Sequence, residues 1–455
     1  MARLPRVAVV GSGIAGLATA WQLAGSGSGP ALADVTLFEA DARAGGHAHT
    51  VDLNLEGITH GVDTGFLVFN HATYPQLRAL FGALGVATAP SDMSFSVQLP
   101  DCGLEWSGTS LDTVFSQRRN LLRPDFLRML ADLLRFNRLT TRIAQELDSG
   151  ASDTGLRAVS IGEFLARHRF GTAFRDAYLL PMLGCIWSCP TAQMLQFPVL
   201  TMIRFCHNHG LIRVRHRPQW YTVQGGSREY VQRLLGQLPD VRLNSPVTAL
   251  RPMPPDSGDA GVWLEAAGRA ERFDDVVLAC HTDQSLRLLG EGASEPERRL
   301  LGAIRYQHNR AVLHTDTSLL PRQRKAWAAW NYERSPQPAQ EGSGVCLHYL
   351  INRLQPLPWR TPVIVSLNPV REPDAALVHQ TFDYAHPVFD QAAIDAQQQL
   401  PTIQGRRRVW FAGAWTRYGF HEDGLRSAQA VVAGLQGHWR QQAARAQERL
   451  QERAA

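Results

Sequence analysis

Residues 7–23 read VAVVGSGIAGLATAWQL, and two readings compete for them. With Arg3 and Arg6 ahead and small residues behind, the run has the outline of a secretory leader. It equally has the outline of a strand, a tight glycine turn and a helix that cradle a dinucleotide. The glycines decide. Gly11, Gly13 and Gly16 stand in G-x-G-x-x-G spacing directly behind the strand-like Val7–Val10, and they are poor choices for a short apolar helix. Leu17, Ala18, Ala20, Trp21 and Leu23 then continue at helical spacing. In a cradle, Gly11 turns the chain, and Gly13 admits a pyrophosphate to backbone N–H groups at the helix start, Ile14 and Ala15. Gly16 lets helix and strand pack closely. The next strand, Val35–Phe38, runs into Glu39 and Ala40, where a carboxylate holds a ribose hydroxyl. An acid there disfavours NADP, whose 2′-phosphate it would repel.

The remaining composition frames this unit. At 455 residues, with 44% hydrophobic side chains, the chain exceeds one ordinary core and predicts two or three domains. It has no run of ~20 uninterrupted apolar residues, so a spanning helix is not expected. The expectation is a cytoplasmic protein, soluble or peripheral on the inner membrane face. Of the six cysteines only Cys185 and Cys189 lie close together, which predicts buried reduced thiols rather than a disulfide framework or zinc. His207 and His209 lack an acidic or cysteine set to complete a metal site, so no metal is expected. The net charge of +5 permits an anionic partner. Nothing resembles a Walker loop, a Gly-x-Ser-x-Gly elbow or a nucleic-acid module, and no nucleic-acid partner is expected.

Nucleotide-type signals come in three separated blocks. They predict an α/β protein in which residues 1–70, 222–290 and 401–440 form a discontinuous Rossmann-like domain. Residues 71–221, read as helix-rich, and 291–400 form an inserted mixed α+β substrate domain. Residues 441–455 form a polar helix or tail. In the second block, TVQGGSREYVQRLL reads as a turn and helix, strands follow, and FDDVVLAC is a strand ending at Ala279. PPDSGDAG within that block reads as a solvated loop. The third block has a strand at Val409–Ala412, a turn at Gly413 and a helix after YGFHEDG.

Together these blocks resemble the flavin-containing amine oxidoreductases over essentially the whole chain. The match rests on GSGIAGLATAWQL, the acid at Glu39, the pair Gly45–Gly46, VDTGFLVFN and the C-terminal FAG. The resemblance implies an amine-oxidase-like two-domain fold and FAD rather than NAD. No flavin-linking motif is recognisable, so the FAD is expected to be non-covalent. The second glycine loop then lies on the pyrophosphate and ribityl chain, with His47 where many members carry arginine. The VDTGFLVFN segment implies Asp63, Thr64, Gly65 and Phe66 beside the isoalloxazine ring. The strand Ser245–Leu250 implies Val247 at the adenine. A helix N-terminus is implied at the flavin, where N–H donors and the positive dipole suit the charge of a reduced pyrimidine edge. Gly424 would allow close approach there and Leu425 would donate its N–H. Ala414 and Trp415 replace an acid that many members carry after FAG.

Within the superfamily, GGHAHT, QRRNLLRP and YGFHEDGLRSA look like a bacterial subgroup of predicted NAD/FAD-binding oxidoreductases. That subgroup is similar to enzymes that alter fatty-acyl double bonds and is often encoded beside cyclopropane-fatty-acyl synthase-like methyltransferases. The resemblance thus implies an apolar small-molecule or acyl-lipid substrate, altered by desaturation or double-bond isomerisation, and a lipid methyltransferase as partner. An amine oxidase, a carotenoid-type desaturase and a non-catalytic flavoprotein stay open. An amine oxidase often uses a flavin-adjacent lysine, and Lys325 is the only lysine in the chain. Tyr418 and His421 are the catalytic candidates, the imidazole as a proton shuttle near neutral pH; packing at the helix start explains them as well. Trp187, Phe197, Met202 and Phe205 read as a substrate tunnel or as ordinary core. Trp330, Asn331 and Tyr332 read as a cavity flank or as strand packing. Residues 116–139 carry Phe126, Met129, Leu130, Leu133, Leu134, Phe136 and Leu139 at helical spacing among six arginines. They fit either a helix lying on an anionic membrane or a core helix with solvated arginines.

Overall fold

The computed structural model describes residues 3–25, 29–149, 155–156, 159–187, 189–213, 217–253, 261–335 and 345–454. Arg6–Val10 forms a strand, Gly11 turns the chain with φ of +100°, and Ile14–Leu23 forms a helix. The strand is central in a five-stranded parallel sheet whose order is 240–242, 34–38, 6–10, 275–278 and 409–411. Val7 and Val9 face a core shared with the helix, whereas Ala8 and Val10 face a second core. A parallel strand covered on both faces shows no polar side, which is why VAVV reads as a continuous apolar run. The second core lies beneath an antiparallel meander of Val247–Pro252, Val262–Ala266 and Arg269–Phe273. Sequence-distant segments meet in this one sheet, so its integrity depends on the whole chain. Asp275 reinforces it: its buried carboxylate accepts from the indole N–H groups of Trp410 (3.1 Å) and Trp439 (2.8 Å). Trp439 belongs to the C-terminal helix His421–Ala454, into which the polar tail simply continues.

A seven-stranded mixed sheet, ordered 378–387, 306–314, 364–367, 346–350, 330–333, 95–99 and 104–107, builds the other half. Residues 71–221 are helix-rich as expected, and they also supply the last two strands of this sheet. FSVQL and LEWS alternate and are joined by a turn at Pro100–Gly103, and Phe95–Leu99 runs parallel to Trp330–Glu333. A small three-stranded sheet has the order 69–70, 220–223 and 88–91. Most of PPDSGDAG, residues 254–260, lies outside the described residues.

The amphipathic helix forms at Pro124–Asp148, with Pro124 in its first turn. Its face is not the lipid-facing one considered above. Phe126, Met129 and Phe136 are buried, with Phe126 against Trp106 and Phe136 against Phe164, Phe170 and Phe174. Leu130, Leu133 and Leu139 are half-buried, and of the seven apolar residues only Leu134 is exposed. All six cysteines are free thiols; Cys102 is exposed and Cys280 half-buried, so burial holds for four of them.

Candidate active site

A cavity of about 770 Å³ reaches from the first glycine turn to the aromatic wall of the large mixed sheet. At the nucleotide end its lining includes Gly11, Gly13, Ile14 and Ala15 from the turn, and Glu39 and Ala40 from the end of the second strand. Gly45, Gly46, His47, Gly65 and Phe66 line its middle, and Val247, Ala279 and Gly413 close other sides. A Cβ at Gly13 would meet nothing within 4 Å, so the turn faces open space. Gly46 lies so near that its Cβ would stand 3.1 Å from the Gly13 Cα. A Cβ on Gly16 would collide with the Gly11 carbonyl, which is the close helix–strand packing predicted for it. Glu39 accepts from the Ser12 N–H (2.9 Å), the Ser12 hydroxyl and the Asp41 N–H (3.1 Å). A carboxylate has about four acceptor positions, so one is left for a ligand hydroxyl.

Four buried ring nitrogens of lining residues have no partner in the protein: His47 Nε2, Trp415 Nε1, Trp187 Nε1 and Trp330 Nε1. Unpaired buried donors are costly unless something else meets them. Open space beside two glycine loops, a ribose-type carboxylate and orphaned nitrogens together fit a large dinucleotide such as FAD. Arg43, which sequence reasoning passed over, positions the second loop. Its guanidinium donates to the carbonyls of Ala44 (3.3 Å), Gly46 (3.0 Å) and Ala48 (3.2 Å). The signal was an arginine immediately ahead of the glycine pair rather than after it.

Four of the expected cofactor contacts, Gly16 included, lie outside the lining. Thr64 donates to or accepts from Tyr384 Oη at 2.7 Å and donates to the His49 carbonyl. Asp63, its neighbour, is buried and accepts from Thr50 (2.6 Å), Ser227 (2.8 Å) and Gln355 (2.9 Å), joining three segments instead of touching a ring. Gly424 is a correction of role: its missing side chain lets the C-terminal helix approach Ile14, whose Cγ2 would lie 2.7 Å from a Cβ. Leu425 is buried in the core one turn inside the helix, so its N–H is spent within the helix rather than at the flavin. Gly419, Phe420 and His421 are what the helix start brings to the cavity. Gly413 lines it too, but the space of its absent side chain is taken by the Trp415 indole.

His421 stacks on Phe66 with ring centroids 3.7 Å apart and bonds Tyr230 Oη through Nε2 at 3.0 Å. Burial lowers its pKa to about 3, so near neutral pH it is a fixed neutral ring. A neutral ring already bonded to Tyr230 weighs against a proton shuttle, since an imidazole shuttles only where both of its forms are accessible. Tyr418 lines the cavity beside it, and burial, followed by the Asp423 charge, holds its phenol above the usual value and therefore protonated. Asp423 itself receives the N–H groups of Tyr418 (3.2 Å) and Phe420 (3.1 Å), tying down this turn.

The far end is apolar and aromatic: Leu67, Val68, Met93, Ile186, Leu211 and Phe420 with Trp187, Phe205, Trp220, Trp330 and Tyr349. Of the expected tunnel, Trp187 and Phe205 line it, whereas Phe197 and Met202 are core. From WNY only Trp330 does; Asn331 donates to the Ala328 and His348 carbonyls, and Tyr332 is buried. His209 also lines this end, stacked on Phe205 at 4.0 Å, and burial lowers its pKa to about 4. Lys325 is remote, paired with Asp112 on the surface at 3.1 Å.

A glycine turn on a parallel sheet, a ribose-type acid and a second, sheet-backed apolar compartment define a two-domain flavoprotein oxidoreductase. The chain belongs to the flavin-containing amine oxidoreductases, whose family model matches residues 14–324, and it is an FAD-dependent enzyme. None of the curated proteins matches its sequence. Among solved structures it is similar to a CLA-producing fatty acid isomerase from P. acnes, at 14% identity and a TM-score of 0.66 over 95% of this chain and 99% of that one. It is likewise similar to cyclohexylamine oxidase from Brevibacterium oxydans, at 16% identity and a TM-score of 0.66 over 96% and 99% of the two chains. A putative protoporphyrinogen oxidase from Exiguobacterium resembles it at 18% identity and a TM-score of 0.63, over 95% and 98%. At these identities the likeness establishes the shared two-domain fold.

Proposed function

We propose that the enzyme acts on an apolar, fatty-acyl substrate by hydride abstraction, as a desaturase or double-bond isomerase, with FAD held non-covalently. One observation carries the reading: among the described residues, the lining of the far compartment presents no carboxylate, lysine or arginine. The charged lining residues, Glu39, Asp41 and Arg287, belong to the nucleotide end. Burial holds His209 and His386 at about 4 and His421 at about 3, all neutral at pH 7. An ammonium group taken into this compartment would lose its hydration and meet no counter-charge, which is costly. An acyl chain would meet leucine, methionine and tryptophan and gain from burial.

Bound FAD supplies the hydride acceptor. The protein's part is to hold the chain against the stacked Phe66–His421 pair, exclude water with the aromatic wall, and present the protonated Tyr418 phenol to a substrate oxygen.

Anaerobic mixing with unsaturated fatty acids and phospholipids tests this, with flavin absorbance and product mass recorded together. Desaturation bleaches the flavin and removes two hydrogens from the lipid; isomerisation moves a double bond at unchanged mass. Reduction by putrescine or cyclohexylamine with none by any acyl chain would overturn the reading. Acid precipitation should leave the yellow colour in the supernatant.

A further inference from the structure

The two most exposed large apolar side chains of the described residues are Leu122, at 87%, and Leu111, at 80%. Both belong to residues 111–128, and Leu121 and Leu127 in the same segment are exposed as well. The segment folds back on itself so that Phe115 and Phe126 touch, with ring centroids 5.9 Å apart. Between the leucines stand Arg118, Arg119, Arg123 and Arg128, against Asp112 and Asp125. Asp112 is already held by Arg118 and Lys325, and Asp125 by Arg128. Arg322 and Arg324, both exposed, add charge from the turn packed against 104–107 and 111–114.

We propose that residues 111–128 form a docking surface for an anionic phospholipid bilayer. Leucines that alternate with arginines suit a lipid interface, where apolar side chains enter hydrocarbon and guanidinium groups stay among phosphates. A protein partner would instead favour an uncharged apolar centre with a polar rim. The surface is backed by a stiff aromatic path: Phe126 packs on Trp106 at 6.0 Å, and Trp106 on Phe95 at 6.5 Å. Phe95 is the register partner of Trp330, which lines the cavity. That path joins the surface to one wall of the cavity. The inference stands on the surface alone and survives if the substrate is not a lipid.

Co-sedimentation with phosphatidylglycerol/phosphatidylcholine vesicles and with pure phosphatidylcholine vesicles tests it, using the FAD-loaded full chain. The protein should bind the anionic vesicles only, and less as salt rises. Replacing Arg118, Arg123 and Arg128 by Gln should weaken binding roughly a hundredfold. Leu111→Ser with Leu122→Ser should weaken it by at least about tenfold. Flavin spectrum and melting temperature of both variants should match the parent, since the altered side chains lie on the surface. Equal binding to neutral vesicles, binding to neither, or wild-type binding by either variant overturns the proposal. A dimer in size-exclusion chromatography that L111S/L122S dissociates would assign the surface to a second copy of this chain and overturn it too.

Discussion

In the large mixed sheet, buried polar groups satisfy one another in a single directed chain. The Asp316 N–H donates to His314 Nδ1 at 3.1 Å, and His314 Nε2 to Ser366 Oγ at 2.6 Å. Ser366 donates to His348 Nδ1 at 2.7 Å, and His348 Nε2 to Glu333 at 2.9 Å. Burial raises the Glu333 pKa, but the hydrogen bonds and charges of His348 and Arg371 outweigh it and hold the carboxyl below its ordinary value. Around the cavity, ring nitrogens end in nothing: His47 Nε2, Trp187 Nε1, Trp330 Nε1 and Trp415 Nε1 are buried without a partner. A closed network needs no further molecule, whereas an open one marks where a ligand completes the structure. Glu333, Cys346 and His348 are close enough to suggest a metal site. Arg371 on the same carboxylate argues against a second cation, and the chain is satisfied without one.

The sharpest way to break this comparison is at the first turn. Gly16→Val should not fold, because its side chain would collide with the Gly11 carbonyl. Gly13→Val faces open space and should fold, yet lose FAD altogether by filling the pyrophosphate position. Circular dichroism and equilibrium FAD titration separate the two; a Gly13→Val protein with parental FAD affinity would remove the cradle. Next in size, Glu333→Ala should cost about 1–3 kcal/mol of stability by leaving the buried His348 N–H unpaired, with flavin content unchanged. Denaturant melts read it, and a variant as stable as the parent would show that the closed network carries no weight.

Acid should act on both regions. Burial lowers His49, His209, His314 and His386 to about 4 and His421 to about 3, against about 6.5 in an unfolded chain. Their contribution is complete above pH 6.5 and is lost as pH falls toward 4, because the unfolded state takes up protons first. Asp63 and Asp423, raised to about 6 by burial, work the other way below pH 6. The histidines outnumber them, so the melting temperature should fall between pH 6.5 and 4. A rise would contradict the buried neutral histidines. Glu39→Ala should weaken FAD by about 1.5–3 kcal/mol, roughly ten- to a hundredfold, without unfolding the chain.

How far the sequence could be read follows from the range of the physics involved. The glycine turn, its strand and Glu39 are local: backbone sterics and one ribose contact dictate Gly11, Gly13 and Gly16 within a short window. Gly424 and Leu425 lie off the cavity lining because which face of a helix meets the cavity depends on its packing against Ile14–Leu23, a tertiary fact. The Phe126–Phe136 face was legible as apolar, but periodicity cannot tell a membrane from aromatic rings contributed by residues 164–174. His348 and Ser366 meet only through strand register, and nothing near either residue in sequence announces the other. Orphaned nitrogens such as His47 Nε2 become visible only once every neighbour is placed.

The smallest effect is expected from Lys325→Gln, and it bears on which chemistry the cavity serves. Were this a lysine-assisted amine oxidase, the catalytic lysine would have to be Lys325, since the chain has no other. Its ammonium instead sits in the turn Arg324–Ala326, 61% exposed and bonded to Asp112, which Arg118 also holds. A surface pair with a second cation on the same carboxylate contributes little, and removing one partner strands no buried charge. Melting temperature, flavin spectrum and the rate of flavin reduction by a soluble fatty acid should all stay at parental values. Steady-state and stopped-flow measurements on the variant check this directly. Loss of flavin reduction with an intact fold would place Lys325 at the flavin, contradict its surface position and restore the amine-oxidase reading.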